Sequence, residues 1–217
     1  ISNLVHANCM SYLRFVQKTA GNPGKMVISD EREKAYSVMF YYTLYGEKLS
    51  KVGANSIEDA IARLKRYPDF AKEIKELADY LLTKLETKTF AVEEGMPLAL
   101  EQYGLYTREE VFAIFGRQTA ERRMQGSVSG AFNIQEMNTE LFFVTLNKSD
   151  KDFSPSTMYD DYVVSEHQFH WKSKNTDTHP GSGKRFVEQA TNKKKFVLFV
   201  RENKKDGFGN TCPFYCF

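Results

Sequence analysis

Cysteine is scarce in this chain: three residues in 217, Cys9, Cys212 and Cys216. Three thiols make no disulfide framework, which excludes the cross-linked secreted scaffolds and fits a reducing, cytoplasmic setting. No apolar run approaches the roughly 18–20 residues that cross a bilayer, so a spanning helix is excluded and no membrane partner is expected. The common nucleotide and hydrolase signatures are missing as well. There is no G-x-x-x-x-G-K-[ST], G-x-G-x-x-G, G-x-S-x-G or H-E-x-x-H. Gly181-Ser182-Gly183-Lys184 lacks the preceding strand and the full spacing of a phosphate loop. Cys212 and Cys216 have no second cysteine pair, and His167 and His170 fall on opposite faces of a strand. No metal, no catalytic residue and no cofactor are therefore expected here. Charge of one sign is not in excess either: 30 basic against 28 acidic residues leave +2.

What is abundant is aromatic: 17 Phe and 12 Tyr, with one Trp. That load fills a core, so wholesale disorder is excluded. The charge is uneven. Residues 1–116 hold 15 basic and 16 acidic groups, and residues 117–217 hold 15 and 12. The texture changes in the same region, and we expect two domains, a helical spacer over 1–126 and a β-rich domain over 127–217. The chain begins with Ile1, and the expectation is a piece of a longer protein whose sheet continues past residue 217.

The first half reads as helices. Val5, Cys9, Leu13 and Val16 repeat at helical spacing. Ser29-Asp30 caps a helix through Val38 and Tyr42 that ends at Gly46; Ser56 starts another, which Pro68 stops. A longer helix then carries Phe70, Ile74, Leu77, Leu81 and Leu85 on one face. Thr107-Arg-Glu-Glu110 is a capping box, and Gly116 suits a helix C-terminus. After the turn at 126–130 the pattern becomes β. Glu140–Leu146 and Lys195–Arg201 are apolar strands, and Gln168–Ser173 alternates, with Phe169, Trp171 and Ser173 on one face. The loop Asn147–Tyr162 interleaves lysines with aromatics, a pattern that also fits a plain solvated connection.

One catalytic pattern needs an answer. His170-x-Lys172-x4-Asp177 fits the H-x-K-x4-D of phospholipase-D-type phosphodiesterases, in which histidine attacks phosphorus and lysine stabilises the developing charge. That chemistry needs two histidines facing each other, from two copies or a symmetric dimer, and this chain has one copy.

Glu140-LFFVTLNKSDKDFSPSTMYDDY-Val163, Phe169-HWKSKNT, Gly183-KRFVEQ and Lys195-FVLFVREN-Lys204 resemble a bacterial domain family. Its members lie at the C-terminus of superfamily-two helicases that carry a phospholipase-D-type nuclease domain. Gly104-LYTREEVFAIF-Gly116 is similar to that family's helix ahead of the β domain. The resemblance covers residues 100–217 and implies the target-recognition region of a modification-dependent (type IV) restriction enzyme. It implies duplex DNA bearing 5-methylcytosine or 5-hydroxymethylcytosine as partner, with the helicase and nuclease domains in the same polypeptide. ATP and magnesium would serve that motor and not this region.

A cytosine reader needs flat rings, a carboxylate for the N4 amine and a small apolar wall. The candidates are Thr157, Met158, Tyr159, Asp160, Asp161, Tyr162, Phe169, Trp171 and Ser173. Trp171 fits a core position as readily as a stacking one. Candidate phosphate contacts are Lys148, Lys151, Lys172, Lys174, Lys184, Arg185, Lys193, Lys194 and Lys195. By analogy with readers that flip modified bases, the expected fold is α+β: a helical bundle, then a mainly antiparallel, SRA/PUA-like curved sheet or barrel. The competing readings are a structural module coupling motor to nuclease without reading bases, and the phosphodiesterase of His170, Lys172 and Asp177.

Overall fold

The computed structural model describes residues 3–124, 130–148, 161–173, 178 and 181–217. The chain is α+β and divides into two compact units, residues 1–126 with Cys216, and residues 127–215 with Phe217.

The first unit is built on six helices: α1 Met10–Gly21, α2 Glu31–Tyr45, α3 Leu49–Val52, α4 Ile57–Ala62, α5 Pro68–Thr83 and α6 Arg108–Ile114. Their ends follow local chemistry. Asp30 accepts from the Glu33 amide, Ser56 from the Asp59 amide, and Pro68 opens α5 at a position where its missing N–H costs nothing. A short 3-10 turn, Arg63–Arg66, lies between α4 and that proline. Gly46 and Gly116 take the left-handed conformation after α2 and α6.

Helix α2 departs from the one-face pattern. Every residue from Ala35 to Tyr42 is buried. It is the central helix of the unit, packed against α1, α4 and α6, and a helix buried all round needs no polar stripe. On α5 the buried face is Ala71, Ile74 and Ala78, with Phe70 exposed. The two alanines let α5 lie close on α1, and the larger residues flank that contact. Three two-residue strands complete the unit: β1 Phe90–Ala91, β2 Glu101–Gln102 and β3 Leu105–Tyr106.

The capping box at Thr107 forms in full, with Glu110 accepting from the Thr107 amide at 2.7 Å and its hydroxyl at 3.0 Å. Burial pushes the Glu110 carboxyl up to about 7, against the opposing pull of those two hydrogen bonds. The folded state therefore holds a proton that the unfolded state has released between pH 4.5 and 7, and stability falls as pH rises through that window. Glu110→Gln keeps an acceptor for Thr107 and removes the titration. We expect it to flatten the stability–pH profile by an amount on the order of 2–3 kcal/mol, measured by denaturant unfolding from pH 4.5 to 8. A variant as pH-dependent as the parent defeats this assignment.

The second unit holds β4 Ala131–Ile134, β5 Thr139–Asn147, β6 Tyr162–Ser165, β7 Gln168–His170, α7 Lys184–Val187, α8 Gln189–Asn192, β8 Lys195–Asn203 and, Cys216 apart, β9 Phe214–Cys216. Its main sheet runs β4-β5-β8-β9, and β6 with β7 form a separate two-stranded ribbon. The central pair β5–β8 is parallel, with Phe142 beside Leu198 and Phe143 beside Phe199; β4–β5 is antiparallel. The sheet is thus mixed where a mainly antiparallel one was expected, and it stays open and does not close into a barrel. A parallel pair needs a long crossover, and residues 148–194 provide it.

Both faces of β5 are covered, which explains its unbroken apolar run. On one face Phe143 stacks on Phe199 at 5.1 Å and meets Phe214 at 5.4 Å. On the other, Phe142 lies 5.2 Å from Phe196.

Candidate functional site

The Phe142 face of the sheet carries the features a ligand would use. Trp171 follows β7 directly and lays its ring on Phe142 at 4.3 Å, while Phe186 of α7 meets Trp171 edge-on at 5.1 Å. Phe142, Phe186 and Phe196 close the group at 5.8 and 6.5 Å. Offset and edge-on rings at these separations are the favoured geometries. Phe142 is buried, Trp171 and Phe186 are half-buried and Phe196 is exposed. The cluster is therefore part core and part surface.

Cations border it. The Arg185 guanidinium sits 4.4 Å over the Phe186 ring, and Arg185 Nε lies 3.3 Å from Glu140 on β5. Lys194 also points at Glu140, at 3.8 Å, and donates to Asn133 Oδ1 at 2.8 Å. Glu140 is fully buried, and among the described residues neither carboxylate oxygen accepts a hydrogen bond. Its attraction to the two cations is Coulombic alone, in a place where screening by water is weak.

Asp161 anchors the ribbon. Its side chain is 6% exposed, lies 2.6 Å from Lys148 Nζ, and accepts from the Lys172 backbone N–H at 3.0 Å. One carboxylate thus ties the end of β5, the start of β6 and the residue after Trp171 together. Across the ribbon, Tyr162 pairs with His170, their rings stacked at 4.6 Å, and Val163 pairs with Phe169.

Of the residues proposed for one pocket, the described ones fall on different surfaces. Tyr162 shares a ribbon face with His170, and Phe169 belongs to the opposite face. Trp171 leaves the ribbon for the sheet. Asp161 is engaged by Lys148 and backbone. Ser173 is half-buried, and Thr157, Met158, Tyr159 and Asp160 lie outside the described residues. Among the candidate phosphate contacts, Lys172, Lys184 and Lys193 are exposed, Arg185 is partly so, and Lys195 is half-buried in β8. Lys184 pairs with Glu188 at 3.7 Å. Lys148, half-buried, and Lys194, buried, are engaged in the ion pairs just described. Lys151, Lys174 and Asp177 lie outside the described residues.

Sequence reasoning missed Phe142, Phe186, Phe196 and Glu140. Glu140, Phe142 and Phe196 sit in apolar runs that carry no mark of which face meets Trp171, and Phe186 lies on the short helix α7, where no local pattern singles it out. Among the described residues no three His, Cys, Asp or Glu side chains gather as a metal site, and no helix is long and apolar enough to cross a membrane.

No curated protein and no solved structure matches the chain. The family model of a domain of unknown function, DUF3427, matches residues 100–215, more than half of the 217 residues and all of the sheet and aromatic cluster just described up to Tyr215. The chain belongs to the DUF3427 family.

Proposed function

We propose that the second unit is a DNA-recognition domain that reads 5-methylcytosine or 5-hydroxymethylcytosine in duplex DNA. The observation that carries this reading is the half-exposed cluster of Phe142, Trp171, Phe186 and Phe196, bordered by Arg185, Lys172 and Lys184. A stacked base contributes about 1–3 kcal/mol, enough to offset much of the cost of flipping it from the helix. Burying the methyl adds only about 0.8 kcal/mol, so a close-fitting wall must supply the rest of the discrimination. The motif resemblance of residues 100–217 supports the same reading, and at its most specific it reaches the target-recognition region of SauUSI, a modification-dependent restriction enzyme.

In that arrangement this chain is not itself an enzyme. A helicase motor using ATP and magnesium and a phospholipase-D-type nuclease act elsewhere in a cytoplasmic polypeptide. The alternative, a coupling module that reads no bases, makes no use of exposed rings beside cations. The phosphodiesterase reading places its nucleophile on His170, whose ring is stacked on Tyr162.

The test is a titration of the chain with matched duplexes, one carrying 5-methylcytosine, at several salt concentrations. Tighter binding of the modified duplex is expected, with affinity for both falling steeply between about 50 and 200 mM salt. A 2-aminopurine beside the modified base should brighten if that base leaves the stack. Equal affinity for modified and unmodified duplexes in several sequence contexts removes the proposal.

A further inference from the structure

We infer that the β6–β7 ribbon is the element of this domain that enters the major groove of duplex DNA; the choice of duplex rests on the function proposed above. The ribbon has two strands and no third among the described residues. Such a hairpin is marginal in water by itself, yet this one presents apolar side chains outward. Tyr162 is 51% exposed, Val163 62% and Val164 54%. Val164 is the extra residue where the register shifts between Val163 and Ser165, and a bulge of this kind re-aims a side chain away from the ladder.

Among the described residues the ribbon is clamped at its base. Asp161, with Lys148 and the Lys172 amide, clamps its base, and Trp171 roots it in the aromatic cluster. The exposed cations gather at that base: Lys172 follows the ribbon directly, and Lys184 and Arg185 adjoin Phe186, which Trp171 touches. The tip has the opposite character. Its turn carries Glu166 and His167 and is flanked by Ser165 and Gln168, with no lysine or arginine.

This distribution selects one occupant. Two strands about 4.8 Å apart, with their side chains, match a major groove about 12 Å wide and 8.5 Å deep. A carboxylate at the tip is repelled by phosphates, so a DNA-bound ribbon must carry Glu166 past the backbone to the base edges, where a cytosine N4 amine donates. Cations at the base then meet the phosphates on the groove's rim. The bulged Val164 is placed for apolar contact with a base pair flanking the flipped one, where a thymine C5 methyl projects into this groove. An acidic protein partner would also be drawn to the cations, but it would give no reason for an apolar ribbon with a lone acid at its tip.

The experiment uses the full chain with two readouts: dimethyl sulfate footprinting, which reports access to guanine N7 in the major groove, and duplex affinity of Val164→Asp. We expect protection of guanine N7 next to the bound site, and at least about ten-fold weaker binding by Val164→Asp, whose new charge faces the groove. The melting temperature should be unchanged, because the site is exposed. If modified DNA is preferred but guanine N7 stays reactive and Val164→Asp binds as well as the parent, the ribbon inference fails and the function stands. If guanine N7 is protected equally on modified and unmodified duplexes, the ribbon stands and modification reading fails. A chain that binds no duplex, or that binds an acidic protein through Val164 instead, overturns both.

Discussion

Replacing Glu140 by alanine should destabilise the second unit by about 3–5 kcal/mol, the largest effect we expect from any single substitution in this chain. The reason is the charge it leaves behind. Lys194 is 6% exposed, and its ammonium faces Asn133, a neutral acceptor, and the Glu140 carboxylate. Without that carboxylate a buried cation keeps one neutral hydrogen bond and loses its counter-charge. Arg185 also loses its partner but can turn to water, being partly exposed. The pair is not expected to be a large net source of stability. Glu140 accepts no hydrogen bond from the described residues, so its own desolvation is poorly offset. Glu140→Leu combined with Lys194→Met should therefore recover most of what either single change loses. Denaturant unfolding of the four proteins in the cycle measures this. A single Glu140→Ala that unfolds like the parent would show that Lys194 finds another partner at no cost.

Trp171→Ala should collapse the preference for modified cytosine, costing about 1–3 kcal/mol on the modified duplex and little on the unmodified one. The same substitution removes a ring that packs on Phe142 and Phe186, so a stability loss is expected as well. Trp171 is half-buried, which puts that loss below the 3–5 kcal/mol typical of a fully buried aromatic. Trp171→Phe separates the two roles by keeping a stacking ring of smaller area. It should retain the fold and part of the preference. If folded Trp171→Ala keeps the full preference, the base is held elsewhere and Trp171 is simply a core residue.

The local chemistry of the helical unit could be read from the residues. Asp30, Ser56 and Thr107 are caps whose side chains bond within three residues, and Gly46 and Gly116 answer a backbone conformation their own sites demand. Such signals are short-range, so they survive without knowledge of the fold. The two long strands were legible for a related reason: runs as apolar as Leu141–Val144 and Val197–Val200 have no solvated face to mark.

That same property hid their direction. A strand covered on both faces looks alike whether its neighbour is parallel or antiparallel, and the expectation of a mainly antiparallel, barrel-like sheet followed from analogy. The parallel β5–β8 register, which puts Glu140 beside Phe196 and Phe142 beside Leu198, was decided by the crossover between them. The described residues of the expected pocket show a related limit. Tyr162, Phe169 and Trp171 are close in sequence, yet a hairpin puts the first two on opposite faces, and the third leaves to join Phe142 and Phe186 from other segments. Lys194 shows the limit most clearly. In the run Lys193-Lys194-Lys195 the three side chains are identical, and only the packing against Glu140 and Asn133 makes the middle one a buried ion-pair partner. Composition and periodicity determined that this chain has a helical unit and a β-rich one, because caps and apolar repeats act between near neighbours. Which rings, carboxylates and cations share a surface was decided by the tertiary structure, because those contacts join residues that no local pattern relates.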